Sequence, residues 1–283
     1  MDVIKIKNPK GDQLPHQLIA LYETFKNIEP RIAINFDFSE VNFFNPLLLL
    51  AICSYIEDTD SQYTNLNNNI SSYLSAVSFP KGIDSISEFE KELQSFKRYT
   101  PISKLNREKG IDRERLESMF ATLVHKIVGT IPGARNAIYY PITELVTNIF
   151  DHSKTDRGYI FGQYYPNKNC LDICIIDRGR GLANTYKEEK SLDVSDNEAI
   201  KEVMRGHSTK INKERGYGVR TSKRVVCDCL GGEFTIISGS SALLSTKKGE
   251  NLVNLPGFNW PGVIVAYRIP KPAGTIDISK YLE

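Results

Sequence analysis

The chain has 283 residues, 41% of them hydrophobic and 25% charged, a globular composition too apolar for a disordered protein. At roughly 150 residues per domain, two domains are expected. The 36 basic and 34 acidic residues leave a net charge of +2, so no global field gathers nucleic acid or an anionic membrane, and charge-based partners must be read locally.

The most apolar stretch, residues 46–53, is far shorter than the roughly 20 residues a membrane helix needs. Met1-Asp2-Val3-Ile4-Lys5 lacks the layout of a signal peptide, so a cytoplasmic protein is expected. The 5 cysteines are scattered through apolar segments, which suits reduced core thiols rather than a disulfide framework. The histidines are distant in sequence from both Cys170/Cys174 and Cys227/Cys229, which argues against zinc.

Along the chain, Ile32, Ile34, Phe36 and Phe38 alternate as in a strand. Asn45-Pro46 then offers a cap and a proline at the first helical position, opening a helix over 46–57. Residues 65–72 are polar enough for a loop with a short helix after it. A further helix is expected over 87–98, and the charged stretch 104–110, ending in glycine, suits a linker. That places a boundary near residue 105, between domains 1–105 and 106–283.

The second part opens with a helical pattern over 112–128, closed by Gly129 and Pro132. The next helix, over 137–152, carries Ile138, Ile142, Leu145 and Ile149 as an apolar stripe, with Pro141 at a kink or first turn. Strands follow at 158–165 and 170–176, the second running into Asp177-Arg178-Gly179-Arg180-Gly181. A glycine-opened helix over 218–230 stops at Gly231-Gly232, and strands near 233–238 and 262–269 complete an α/β pattern.

Three features bear chemistry. Glu144, Asn148 and Asp151 share the polar side of the 137–152 helix, where a carboxylate and a carboxamide one turn apart can hold a divalent cation and orient a water. Solvation of an amphipathic helix would also place such residues there. Asp177, at a strand end, can accept a hydrogen bond from an exocyclic amine, and Gly179 and Gly181 let a flat ligand approach the backbone. A tight turn would use the same residues. Gly216-Tyr217-Gly218 opens a helix whose amides suit phosphate, preceded by Ser208, Thr209 and Lys210, whose hydroxyls and ammonium can follow a terminal phosphate.

Glu144-Leu145-Val146-Thr147-Asn148, Asp177-Arg178-Gly179-Arg180-Gly181 and Gly216-Tyr217-Gly218, in that order, resemble the three nucleotide-binding boxes of the GHKL ATP-binding superfamily. Its members include histidine kinases, anti-sigma serine kinases, gyrase B subunits, MutL proteins and heat-shock chaperones. The resemblance covers about residues 112–270. It implies a mixed sheet with helices on one face, binding ATP and Mg2+ beneath a lid over residues 184–215.

Carried over by position, Asn148 resembles the magnesium ligand, Asp177 the adenine reader, Gly179 and Gly181 the pocket wall, and Gly216 and Gly218 the phosphate-facing glycines. Glu144 resembles the general base, Asp151 an acidic position of the gyrase and chaperone branches, and His152-Ser153 the anti-sigma branch. Gly206-His207-Ser208-Thr209-Lys210 is similar to a lid segment whose lysine reaches phosphate.

An autophosphorylating histidine kinase is disfavoured, because His125 is followed by Lys126 rather than an acid. Strand 32–38 and the helix opened by Asn45-Pro46-Leu47 resemble the core of STAS domains, without the phosphoacceptor serine at the helix start. The expectation is a small STAS-like α/β domain joined to an ATP-binding domain: a nucleotide-controlled switch with a protein partner. It acts either as an ATPase or serine/threonine kinase, or as a non-catalytic interaction module.

Overall fold

A helix that is apolar all round can be stable only when it is covered on every side, and the Pro46-Leu47-Leu48-Leu49-Leu50-Ala51-Ile52-Cys53 run meets that condition. The computed structural model of the protein describes residues 1–94, 98–108, 110–129, 131–207 and 218–282. In chain order β1 (Asp2–Lys5), α1 (Leu14–Phe25), β2 (Ile34–Asp37), α2 (Pro46–Thr59) and β3 (Gln62–Thr64) form two βαβ units. Their strands make a parallel three-stranded sheet ordered β1-β2-β3. The Asn45 carboxamide caps α2 by accepting from the Leu48 amide at 2.9 Å.

After α3 (Asn68–Ala76) and α4 (Ile86–Gln94) come β4 (Ser103–Asn106), α5 (Gly110–Val128), α6 (Ala134–His152), β5 (Arg157–Tyr165) and β6 (Cys170–Asp177). Next are α7 (Gly181–Lys190), α8 (Asp196–Arg205) and α9 (Gly218–Arg224), which continues as a π-helical turn over Val225–Cys229. The last strands are β7 (Glu233–Gly239), β8 (Ser241–Thr246), β9 (Gly249–Asn254) and β10 (Trp260–Pro270).

The second sheet has seven strands ordered β4-β5-β6-β10-β7-β8-β9. Every neighbouring pair is antiparallel, which corrects the expected mixed sheet. The short turns joining β5 to β6 and β7 to β8 to β9 permit only antiparallel pairing, and β10 enters between β6 and β7 opposed to both.

The long strands bury both faces. Tyr159, Phe161, Cys174, Ile176, Ile264 and Ala266 face α1, α2 and the small sheet in one core. The alternate residues Ile160, Ile173, Ile175, Val265 and Tyr267 face α5, α6, α8 and the π turn in a second. The chain is therefore a layered α/β structure in which the large sheet is covered on both sides by helix-bearing segments. The helices of the second part keep to one face, as expected, and the other face is taken by the first part of the chain.

Two further differences have local causes. The charged stretch 104–110 was expected to be a linker, but residues 103–106 pair with β5, with Ser103 and Leu105 buried while Lys104 bonds Glu57 at 2.7 Å. The position expected to divide the domains thus falls inside a strand of the large sheet. The lid expected over 184–215 is helical in its described part: Ser195 and Glu198 form a capping box at the start of α8, and Ala199 and Ile200 are buried. Residues 208–215 of that lid lie outside the described residues.

A buried ionic group fastens the two parts. Arg268 on β10 bonds Asp172 on β6 through two nitrogens, at 2.6 and 2.8 Å, and reaches Asp12 at 2.9 Å. Gln17 on α1 adds a bond to Asp172 at 2.8 Å. Removing one member of such a pair leaves a charge in the core. Arg268→Met is expected to lower unfolding stability by about 3–5 kcal/mol in urea titration, and adding Asp172→Leu to recover much of that loss.

Candidate functional site

Helix α6 builds the site because its buried stripe, including Ile138, Ile142, Leu145 and Ile149, lies on the large sheet and turns Glu144 and Asn148 toward α9. A cavity opens between α6, the end of β6, α7 and the start of α9. Asn148, Asp177, Gly181 and Gly218 line it with the apolar side chains Leu145, Ile149, Ile175, Leu182, Val219 and Val263. Four residues singled out in the sequence are thus brought together from positions 70 apart in the chain.

Asp177 is the fully buried acid of this wall, 2% exposed. Its carboxyl accepts the Gly179 amide at 2.8 Å and the Val263 amide, but burial outweighs both bonds and pushes its pKa up to about 7. Gly181 has φ +74°, a left-handed conformation, and its Cα lies close to the Ser238 hydroxyl. That hydroxyl accepts from the Leu182 amide at 2.9 Å and fixes the first turn of α7.

Gly179 does not form pocket wall, contrary to expectation. It packs on the end of α6, where a Cβ would collide with the Ser153 carbonyl. The next residue completes that contact: the Arg180 amide donates to Ser153 O at 2.9 Å and its Nε to His152 O at 2.6 Å, a cation at a helix C-terminus. Arg180 also pairs with Glu188 at 2.7 Å and with Glu189, holding α7 to α6.

Glu144 stands one turn from Asn148 but outside the cavity. Its carboxylate lies against the Gly218 Cα, where a side chain would collide with it, and it borders an outer groove with Tyr139, Tyr140, Thr143, Ile276 and Ile278. Asp151 is exposed and is not among the cavity-lining residues. Ser208, Thr209, Lys210, Gly216 and Tyr217 lie outside the described residues. Sequence reasoning did not single out Leu182, Thr185 and Tyr186, which line the cavity from α7; His207, quoted within the lid segment, lines it beyond α8. Their i, i+3, i+4 spacing at 182, 185 and 186 was the available signal.

Arg178, between the pocket acid and Gly179, points the other way. Its side chain is 5% exposed, and its guanidinium lies 4.6 Å from the Tyr55 ring and 4.9 Å from the Trp260 ring. Nε donates to Asp58 at 2.9 Å, and Nη2 donates to the Pro30 carbonyl. Desolvated cation–π contacts of this kind contribute about 2 kcal/mol. Trp260 Nε1 donates to the Asp177 carbonyl at 2.9 Å, so one turn is gripped from both sides.

Among the described residues, no group of three or more His, Cys, Asp or Glu side chains is placed to hold a metal ion, and no helix is long and apolar enough to cross a membrane. Compared with known proteins, the chain matches no family model, no curated protein and no solved structure.

The raised Asp177 pKa makes stability depend on pH. The folded state holds a proton that the unfolded carboxyl releases near its ordinary value of 3.8, so stability falls as pH rises from there to about 7 and levels off above. At about 1.4 kcal/mol per pH unit, Asp177→Asn is expected to be more stable than wild type by about 2–4 kcal/mol at pH 8 and nearly equal at pH 4. Urea titrations at the two pH values check this.

Proposed function

We propose that the chain is a Mg-ATP-binding module of the GHKL type, acting as a nucleotide-controlled partner switch. The observation that carries this reading is a buried carboxyl at a strand end, Asp177, on the wall of an apolar cavity that Asn148 and Gly218 also line. A carboxylate accepts from an exocyclic amine, and the aliphatic wall of Leu145, Ile149, Ile175 and Val263 suits the faces of a flat base. The cavity thus fits adenine better than guanine, which presents a carbonyl at the corresponding place.

Asn148 offers a carboxamide oxygen, and one protein oxygen with phosphate and water suits magnesium, which keeps several waters. Bound magnesium supplies charge for phosphate oxygens. Glu144, beside Gly218 and open to the outer groove, would take a proton from water or from a partner's serine or threonine hydroxyl. ATP hydrolysis or phosphotransfer is the first reading. A non-catalytic interaction module is the second, favoured by the separation of Glu144 from the cavity lining.

Calorimetry tests the binding step. Wild type should bind ATP and bind GTP poorly, and Asp177→Ala should weaken ATP binding by about 10- to 100-fold, the effect of losing one charge-assisted hydrogen bond. Equal ATP affinity in wild type and variant would remove the adenine assignment.

Turnover separates the two readings. Glu144→Ala should retain ATP and lose about 100-fold or more in phosphate release or transfer to a partner. Asn148→Ala should also lose the magnesium dependence of binding. Unchanged turnover in both variants would leave the helix face as solvated surface.

A further inference from the structure

The turn that carries Asp177 is held by the opposite half of the molecule. Arg178 crosses from this turn to α2, where Asp58 bonds its Nε at 2.9 Å and Tyr55 lies under its plane at 4.6 Å. Trp260 closes the other side of the guanidinium at 4.9 Å and, through its indole, holds the Asp177 carbonyl. Phe25 on α1 meets Trp260 edge-on at 5.7 Å and Tyr55 at 5.4 Å, so the cage is built mainly by the first part of the chain. The guanidinium is stripped of water, and its Nη1 has no hydrogen-bond partner among the described residues. An arginine taken out of water is held where a carboxylate and π faces replace that water.

The geometry is directional. The Asp177 side chain faces the cavity, the Arg178 side chain faces α2, and the Gly179 and Arg180 amides are tied to Asp177 and Ser153 at 2.8 and 2.9 Å. Consecutive residues of one turn therefore share their backbone angles between the cavity wall and the cage.

We propose that Asp58 and Tyr55 are positioning residues for the cavity: by fixing Arg178 they set the direction of the Asp177 carboxyl, so the first part of the chain completes a ligand site to which it contributes no lining residue. The ligand side of this inference rests on the adenine-nucleotide reading, whereas the clamp itself does not. By linkage, whatever fills the cavity and bonds Asp177 must tighten the cage by the same factor that the cage tightens the ligand.

The experiment compares wild type, Asp58→Asn, Asp58→Glu and Tyr55→Leu. Asp58 is at the surface end of α2, with a third of its side chain exposed, so Asp58→Asn should keep the fold. Hydrogen exchange is read first without ligand. Exchange over residues 178–182 should rise by about tenfold in Asp58→Asn and Tyr55→Leu, with the β7–β8 hairpin unchanged and Asp58→Glu restoring protection. Unchanged exchange over 178–182, or an equal rise throughout the sheet, would overturn the proposal.

Binding of ATP and of inosine triphosphate, which carries a carbonyl in place of the amine, is then measured by calorimetry. Loss of about tenfold of the preference for ATP in Asp58→Asn, with inosine triphosphate affinity held, supports positioning. Loss of both affinities equally would overturn it. If wild type binds neither nucleotide, the adenine reading fails, and the exchange measurement without ligand still decides the clamp.

Discussion

The structure depends on a sheet whose central strands have no wet face. Strands β5, β6 and β10 place apolar side chains on both sides, so neither half of the chain could fold around this sheet and leave the other side to solvent. The first part of the chain is consequently a structural layer as well as whatever else it does. Helix α2 shows the same constraint from the other direction, since its residues from Pro46 to Ile56 are all buried.

Strand β6 carries the contrast from which a function can be read. It is buried along its whole length and holds two acids, Asp172 and Asp177. Asp172 is met by the guanidinium of Arg268, while Asp177 receives only backbone amides and opens on a cavity. Equal burial thus has different consequences: the first carboxyl is a rivet, and the second is held in an unfavourable environment that a donor-bearing ligand would improve. Strain of this sort is kept where neighbouring structure over-determines it, and here the neighbours are the end of α6, Trp260 and the Arg178 cage.

Much of this was legible in the residues. The alternation over 32–38, the apolar residues of 158–165 and of 170–176, the latter broken only by Asp172, the Asn45-Pro46 cap and the stripe of α6 each record a local rule, and each element forms close to its expected bounds. The expectations that failed depend on distant partners. Lys104 reads as linker until Glu57 neutralises it, and the acids at 188 and 189 read as a mobile lid until Arg180 and the end of α6 collect them. Strand order could not be read locally, because β10 enters between strands from elsewhere in the chain. At the site, Asn148, Asp177, Gly181 and Gly218 stood out through the order of the three short motifs that carry them. The α7 wall was obscured by its charged outer face, and the role of Arg178 depends on aromatic residues more than 80 positions away on one side and 120 on the other.

Trp260 gives the molecule a property that follows from composition and placement together. It is the single tryptophan in 283 residues, it is buried, and its indole is hydrogen-bonded to the backbone of the pocket acid while a cation lies over its ring. Indole emission is sensitive to nearby charge and to the polarity around the ring, so all of the tryptophan emission of the protein, which can be excited apart from its 14 tyrosines, originates at the seam between cavity and cage. The chain carries its own optical probe at that seam, and events there can be followed in real time with no label attached.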